Sequence, residues 1–338
     1  MTLYCGIDLH SNNCVVSIID SEDRVRYEKR LANDVEVIRC ALMSYREELE
    51  GVVVESTYNW YWLVDGLMAS GFDVRLANTV ALKQYSGLKY TDDKTDARYL
   101  AHLLRLGILP QGYIYPFETR CVRDLLRRRS LLVRQRVMQH LSLQSLIARH
   151  TGKRLTSGQV KQLTADEIDA LLVHESARLS AHIAHDLMAT VSGHIEHIER
   201  DVGAICQPTR PYELVTSVTG IGPIIGQTIV LETGPIERFP TVNDYASYAR
   251  CVPSQKLSNG KKKGEGNRKN GNKYLEYAFM EAARYAAIWE PTIKRYYQRK
   301  LSKVHKMVAK KSLANKLARA CYQMLCHDQV FDVNRAFG

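Results

Sequence analysis

The first hundred or so residues alternate short apolar runs with helical periodicity. Residues 3–9 and 14–19 are strand-length apolar runs, and residues 25–31 alternate apolar with polar as a half-buried strand does. Residues 34–49 carry Val35, Ile38, Ala41, Leu42, Tyr45 and Leu49 on one helical face. A β-branched run, residues 51–54, ends in Glu55. Residues 60–69 predict a helix closed by Gly71, residues 74–77 a strand, and residues 93–106 a helix closed by Gly107. Three strands in succession, then helices alternating with strands, predict a mixed α/β sheet.

Beyond this the pattern turns helical. Residues 118–150 space leucines at helical intervals and interleave Arg120, Arg123, Arg127, Arg128, Arg129, Arg134 and Arg136. After a polar break at residues 151–158 a second long helical stretch runs to about residue 205, bearing His174, His182, His185, His194 and His197. Two such stretches predict an antiparallel coiled-coil arm, ended by Pro208 and Pro211. The histidines lack the ligand spacing of a metal set and suit a solvated helix face. Residues 212–330 are mostly helical, with a last helix over residues 303–325, and are interrupted by a loop at residues 253–273. The expected division is 1–115, 116–207 and 208–338.

Composition narrows the function. At 338 residues, with 45% hydrophobic and 25% charged residues, the chain has material for about two domains and a connector. A net charge of +11 points to a polyanionic partner. No apolar run is long enough to span a bilayer, and residues 1–8 lack the basic and apolar segments of a secretion signal. The eight cysteines are scattered without C-x-x-C pairs, as expected of reduced, mostly buried thiols in a cytoplasmic protein.

Three groups of residues carry candidate chemistry. Asp8 and Glu55 end apolar strands, where side chains reach the sheet edge. Asp93 and Asp96 open a helix three residues apart and share a face. Converging carboxylates repel one another, and a divalent cation such as Mg²⁺ relieves that repulsion with hard oxygen ligands. Acids at helix starts also serve as ordinary caps, so spacing alone leaves both readings open. The second group is Gly220-Ile221-Gly222-Pro223 between two apolar stretches. It suits a helix–hairpin–helix offering backbone N–H groups to phosphates, or a plain turn. The third is the loop itself, where Lys256, Lys261, Lys262, Lys263, Arg268, Lys269 and Lys273 face one acid, Glu265. That composition suits a phosphate backbone. Within it lies Ser258, an ordinary turn residue or, among cations, a nucleophile for a phosphodiester.

Together these fragments resemble the DEDD-type transposases of the insertion-sequence one-ten family, over nearly the whole chain. The likeness rests on Tyr4-Cys5-Gly6-Ile7-Asp8-Leu9-His10-Ser11, Val54-Glu55-Ser56-Thr57 and Thr91-Asp92-Asp93-Lys94-Thr95-Asp96-Ala97. It continues in Gly220-Ile221-Gly222-Pro223, Glu237-Arg238-Phe239, Pro253-Ser254-Gln255, Ser258-Asn259-Gly260 and Lys269-Asn270-Gly271-Asn272-Lys273-Tyr274-Leu275. The resemblance implies a RuvC-like, RNase H-type N-terminal domain, a coiled-coil arm and a helical C-terminal transposase domain with a basic serine loop. It implies Asp8, Glu55, Asp93 and Asp96 as ligands of Mg²⁺, or Mn²⁺ in its place. Asp92 competes with Asp93 as third acid, and the Asp-x-x-Asp-Ala spacing favours Asp93 with Asp96. By position the nucleophile is Ser258, with Ser254 as alternative because Asn259 stands where glycine is usual.

The implied activity is that of a prokaryotic recombinase that cuts and rejoins donor and target DNA. It would be guided by a structured RNA and built as a dimer pairing into a tetramer with composite active sites. The nucleic-acid contacts expected are Arg120, Arg123, Arg127, Arg128, Gly220, Gly222 and the cations of the loop. The alternative is a RuvC-like nuclease of the junction-resolving kind, which would use the acids and water without a serine nucleophile.

Overall fold

In a computed structural model, residues 1–82, 92–254, 256–266 and 270–338 are described. The chain divides into two compact units, Met1–Phe117 with Lys256–Asn270, and Glu118–Gln255 with Gly271–Gly338.

The first unit is built on a mixed sheet. Its strands are β1 (Leu3–Leu9), β2 (Asn13–Asp20), β3 (Val25–Ala32), β4 (Leu49–Glu55), β5 (Val74–Ala77) and β6 (Gln111–Gly112), ordered β3-β2-β1-β4-β5-β6. The first three form an antiparallel meander, β4 and β5 run parallel to β1, and β6 closes the edge antiparallel. Helices α1 (Val35–Met43), α2 (Tyr61–Ala69), α3 (Thr79–Leu82) and α4 (Asp93–Arg105) complete the fold.

Strand alternation sorts the side chains onto two faces. Cys5, Ile7, Leu9, Val52 and Val54 point toward Ile38, Leu42, Leu63, Val64 and Leu67 of α1 and α2. The other face carries Gly6, Asp8, Val53 and Glu55 and is covered by α4, whose Leu100, Leu103 and Leu104 pack on Val53 and Ala77. Gly6 is required there: a Cβ would lie 2.0 Å from the Ala97 carbonyl and 2.8 Å from the Ala101 nitrogen. Missing that Cβ, the sheet lets the α4 backbone lie directly on it.

The first helix is shorter than its periodicity predicts. It ends at Met43, because Leu49 and Glu50 are taken by β4, where Leu49 pairs with Leu3. Tertiary pairing overrides helical spacing here. The α4 helix starts as expected, with Asp92 as its cap.

In the second unit α5 (Phe117–Thr151) and α8 (Glu175–Cys206) form an antiparallel helical hairpin. Leu126 packs near Ile198 and Val202 at one end, and Leu143 and Ile147 near Ala177, Ala181 and Ala184 at the other. The polar break holds two short helices, α6 (Ser157–Gln162) and α7 (Ala165–Leu171), each started by a threonine capping box. His182 and His185 bond Asp169 and the Leu163 carbonyl, respectively.

Helices α9 (Arg210–Thr216), α10 (Pro223–Thr233), α11 (Val242–Tyr248), α12 (Lys273–Trp289), α13 (Pro291–Leu301), α14 (Lys306–His327) and α15 (Val333–Phe337) share one core around Tyr245, Phe279 and Leu317. The loop expected at residues 253–273 contains a two-stranded hairpin, β7 (Lys256–Ser258) and β8 (Lys261–Gly264). Its turn is Asn259-Gly260, both with positive φ (51° and 72°), the conformation that Asn-Gly supplies most readily.

All eight cysteines are free, and five are buried. No helix among the described residues is long and apolar enough to cross a membrane.

Candidate active site

The register of the sheet assembles the acids. Asp8 is the last acid-bearing position of β1 on the α4 face, and it is 4% exposed. In the parallel pairing Ile7 lies beside Val54, which brings Glu55 beside Asp8. Across the meander Asp8 pairs with Val15 and Val15 with Arg30, so Arg30 shares the face. The first turn of α4 then lowers Asp93 and Asp96 toward the same spot.

The groups meet closely. Asp8, His10 and Asp93 each offer a ligand atom, all within 4.8 Å of one another. The Nε2 of His10 is 3.3 Å from a carboxylate oxygen of Asp8 and of Asp93. Neither approach is aligned as a hydrogen bond, and this buried nitrogen is otherwise unmatched. The backbone there is held firmly, since the His10 carbonyl accepts from Asn33 Nδ2 and Asn59 Nδ2, each at 3.0 Å. Arg30 ion-pairs with Asp93 and donates to Asn13 Oδ1 at 2.6 Å.

The electrostatics show crowded negative charge. Burial, and then hydrogen bonding and repulsion from Asp8, push the Glu55 carboxyl up to about 8. Partial desolvation and the charges of Asp8 and Asp93 raise Asp96 as well. The bond from Arg30 holds Asp93 below the ordinary carboxylate range. Asp92 faces elsewhere: its Oδ1 accepts from the Thr95 backbone at 2.8 Å and hydroxyl at 2.6 Å.

This arrangement suits a divalent cation. It gathers hard oxygen donors whose mutual repulsion is relieved only by protonation or positive charge, and it aims an orphaned imidazole nitrogen among them. Asp8, His10, Glu55 and Asp93 are the natural holders, with the more exposed Asp96 at the rim. Sequence reasoning missed His10 and Arg30. A period-two reading from Asp8 reaches His10, whereas Arg30 enters only through the register of three strands.

The nucleic-acid candidates separate. Arg120 and Arg123 are buried, 1% and 6% exposed. Arg127 makes two bonds to the buried Glu232, at 2.6 and 2.7 Å. Arg120 and Arg123 are thus on the inward face of the helix, whereas Arg127 is partly exposed and engaged with Glu232. Arg128 is exposed.

Gly220 is held by packing, with φ +100° and a hypothetical Cβ 2.4 Å from the Ala286 nitrogen of α12. Gly222 is open and precedes α10. Ser258, Lys261, Lys263 and Lys273 are exposed, as is Glu265. Arg268 and Lys269, with Thr91 and Gln255 of the motifs, lie outside the described residues, as do the side chains of Lys256 and Lys262.

Residues 5–151 match a transposase family, the DEDD type of IS110, and residues 212–298 match the transposase IS116/IS110/IS902 family. The chain is also similar to a probable family 20 transposase of Pseudomonas aeruginosa, at 26% identity over 284 residues, covering 80% of this chain and 82% of the relative.

Proposed function

We propose, from the premise that this chain belongs to the IS110 family of transposases, that it moves its element by serine-dependent strand exchange at a Mg²⁺-supported centre. A transposase of this family is a DNA-cleaving and rejoining enzyme of a mobile element, and the family implies a divalent metal. The observation that carries the finer reading is the convergence of Asp8, His10 and Asp93 within 4.8 Å, with Glu55 against Asp8. The strand order β3-β2-β1-β4-β5, with acids at the ends of β1 and β4, supports a RuvC-like, RNase H-type domain.

The bound cation would supply charge neutralisation at the scissile phosphate. Asp8, Glu55, Asp93 and Asp96, with His10, would hold it. The Ser258 hydroxyl attacks phosphorus, losing its proton as the O–P bond forms. The P–O3′ bond breaks, and the departing oxygen takes a proton as a 3′-hydroxyl. A 3′-hydroxyl from the exchanged strand then attacks the phosphoserine and frees Ser258. Exposed Lys261, Lys263, Lys273 and Arg128 would hold backbones without reading sequence. Sequence would be read by pairing with a guide RNA. Serine and acids from different subunits would make each site, in a dimer that pairs into a tetramer.

Covalent trapping tests this. The protein is incubated with its flanking RNA, Mg²⁺ and labelled junction DNA, then denatured. The expected result is label on the protein, lost in Ser258→Ala and weakened in Asp8→Ala. Free cleaved DNA that persists in Ser258→Ala would overturn the serine role and indicate a nuclease using water.

A further inference from the structure

Asn272, within the motif at residues 269–275, has no part in the chemistry above, yet it sits in a buried polar cluster of the second unit. Asn272 is 8% exposed, and its two side-chain ends do different work. Oδ1 caps α12, accepting from the Tyr274 and Leu275 nitrogens at 2.8 and 3.2 Å. Nδ2 donates to Glu232 at 2.7 Å and lies 3.4 Å from the Tyr248 hydroxyl. Glu232, at the end of α10, is 2% exposed and also takes the bidentate pair from Arg127 of α5. The Arg127 guanidinium in turn lies 4.5 Å from the ring centroid of Tyr274.

The same residues close the neck of the serine loop. Arg250, at φ 53°, donates from Nε to the Gly271 carbonyl at 3.1 Å. The Asn272 nitrogen donates to the Tyr248 carbonyl at 2.5 Å. Gly271 has φ +84°, and a Cβ there would lie 2.6 Å from the Tyr248 carbonyl. The segment between Arg250 and Asn272, which carries Ser258, thus leaves and re-enters the unit at one pinned point.

We propose that Glu232 is a positioning residue that couples the arm helix α5 to the neck of the serine loop, through Arg127 on one side and Asn272 on the other. A buried carboxylate shared by one donor from the arm and one from the neck transmits a shift of either to the other. Helix capping alone does not require it, because a cap needs only Oδ1. The catalytic part of the proposal rests on the serine reading above; the neck closure does not.

The test separates cap from coupling. Asn272→Asp keeps a capping oxygen but sets a carboxyl against Glu232 in place of the amide donor. Glu232→Gln in that background restores a donor–acceptor pair with its direction reversed. Two quantities are read in the full chain: amide hydrogen exchange of residues 251–271, and the rate of covalent DNA–protein linkage.

Loss of a hydrogen bond to a charged group is expected to change each by about tenfold or more. Asn272→Asp should therefore speed exchange in the loop and slow linkage, with α12 exchange unchanged, and the double variant should recover part of both, since Gln at 232 relieves the repulsion but keeps one acceptor for Arg127. Arg127→Lys, which keeps charge and loses the bidentate geometry, should speed loop exchange in the same direction.

Unchanged loop exchange in Asn272→Asp, or a double variant no better than the single, would overturn the coupling. If the wild-type chain forms no covalent link, the serine reading fails, while the exchange measurement still decides the neck.

Discussion

Replacing Gly6 by alanine adds one methyl group at the place where the sheet and α4 touch. The new Cβ would stand 2.0 Å from the Ala97 carbonyl oxygen, 2.8 Å from the Ala101 nitrogen and 3.0 Å from the Leu100 Cβ. Two of these are backbone atoms of one helix, so no side-chain rotation relieves the clash. Restoring a 3.4 Å contact moves the helix away by about 1.4 Å.

Overpacking of this kind costs roughly 1–3 kcal/mol, more than the fraction of a kcal/mol gained by removing a strand glycine. The helix carries Asp93 and Asp96, so the same displacement would carry two of the clustered acids away from Asp8. Gly6→Ala should lower the melting temperature by several degrees, about 5–10 °C. It should also weaken Mn²⁺ binding, read by titration calorimetry.

Gly193→Ala is the matched control. That glycine lies within α8 with nothing within 4 Å of an added Cβ, so the change should stabilise by roughly 0.5–1 kcal/mol. A Gly6→Ala protein with unaltered melting and Mn²⁺ affinity would refute the argument that α4 is seated by the missing Cβ.

Proton linkage gives a second prediction. With Glu55 raised to about 8, roughly nine in ten molecules hold that proton at pH 7. Cation binding must expel it, so affinity should climb about tenfold from pH 6 to 7 and about fivefold from 7 to 8, with buffer-dependent heats in calorimetry. In the metal-free chain the sign reverses. The folded carboxyl binds its proton more tightly than the unfolded one near 4.5, so its stabilising share is full below that value and is lost as pH rises through about 8. Glu55→Gln should flatten both profiles, and heats independent of buffer would contradict the assignment. A third prediction contrasts two neighbours on α5. Arg128→Ala should reduce the salt dependence of nucleic-acid binding by about one unit of slope and leave melting alone. Arg127→Met should instead destabilise by roughly 1–3 kcal/mol, because the buried Glu232 loses the bidentate guanidinium bonds; calorimetry and fluorescence anisotropy distinguish the two.

What the sequence disclosed follows from how local each signal is. Asp8 and Glu55 end runs of β-branched and apolar residues, and Asp93 opens a strongly periodic helix, so each is placed by its own neighbours. Asp92 and Asp93 are alike in sequence, because both lie at a helix start and differ only in which way the side chain turns, with Asp92 taken up as the cap of α4. His10 and Arg30 depend on cross-strand register, which no single segment encodes. The arginines of α5 are ambiguous for a related reason: a cation every three or four residues looks solvated, yet Arg120 and Arg123 are buried on the face that carries Leu126. The hairpin around Ser258 was hidden by its lysines and glycines, although Asn259-Gly260 is a strong turn signal on its own.

The acids of the centre are separated along the chain: Asp8 from the first strand, Glu55 from the fourth, and Asp93 from the helix that closes over them. At translation rates of roughly 5–20 residues per second, the span from Asp8 to Asp93 takes on the order of ten seconds to emerge. Ser258 follows later still. A nascent chain therefore carries isolated carboxylates long before the sheet and α4 bring them together. The acidic cluster therefore cannot form on a chain that ends before α4, because its members meet only through the register of the sheet and the helix laid on it.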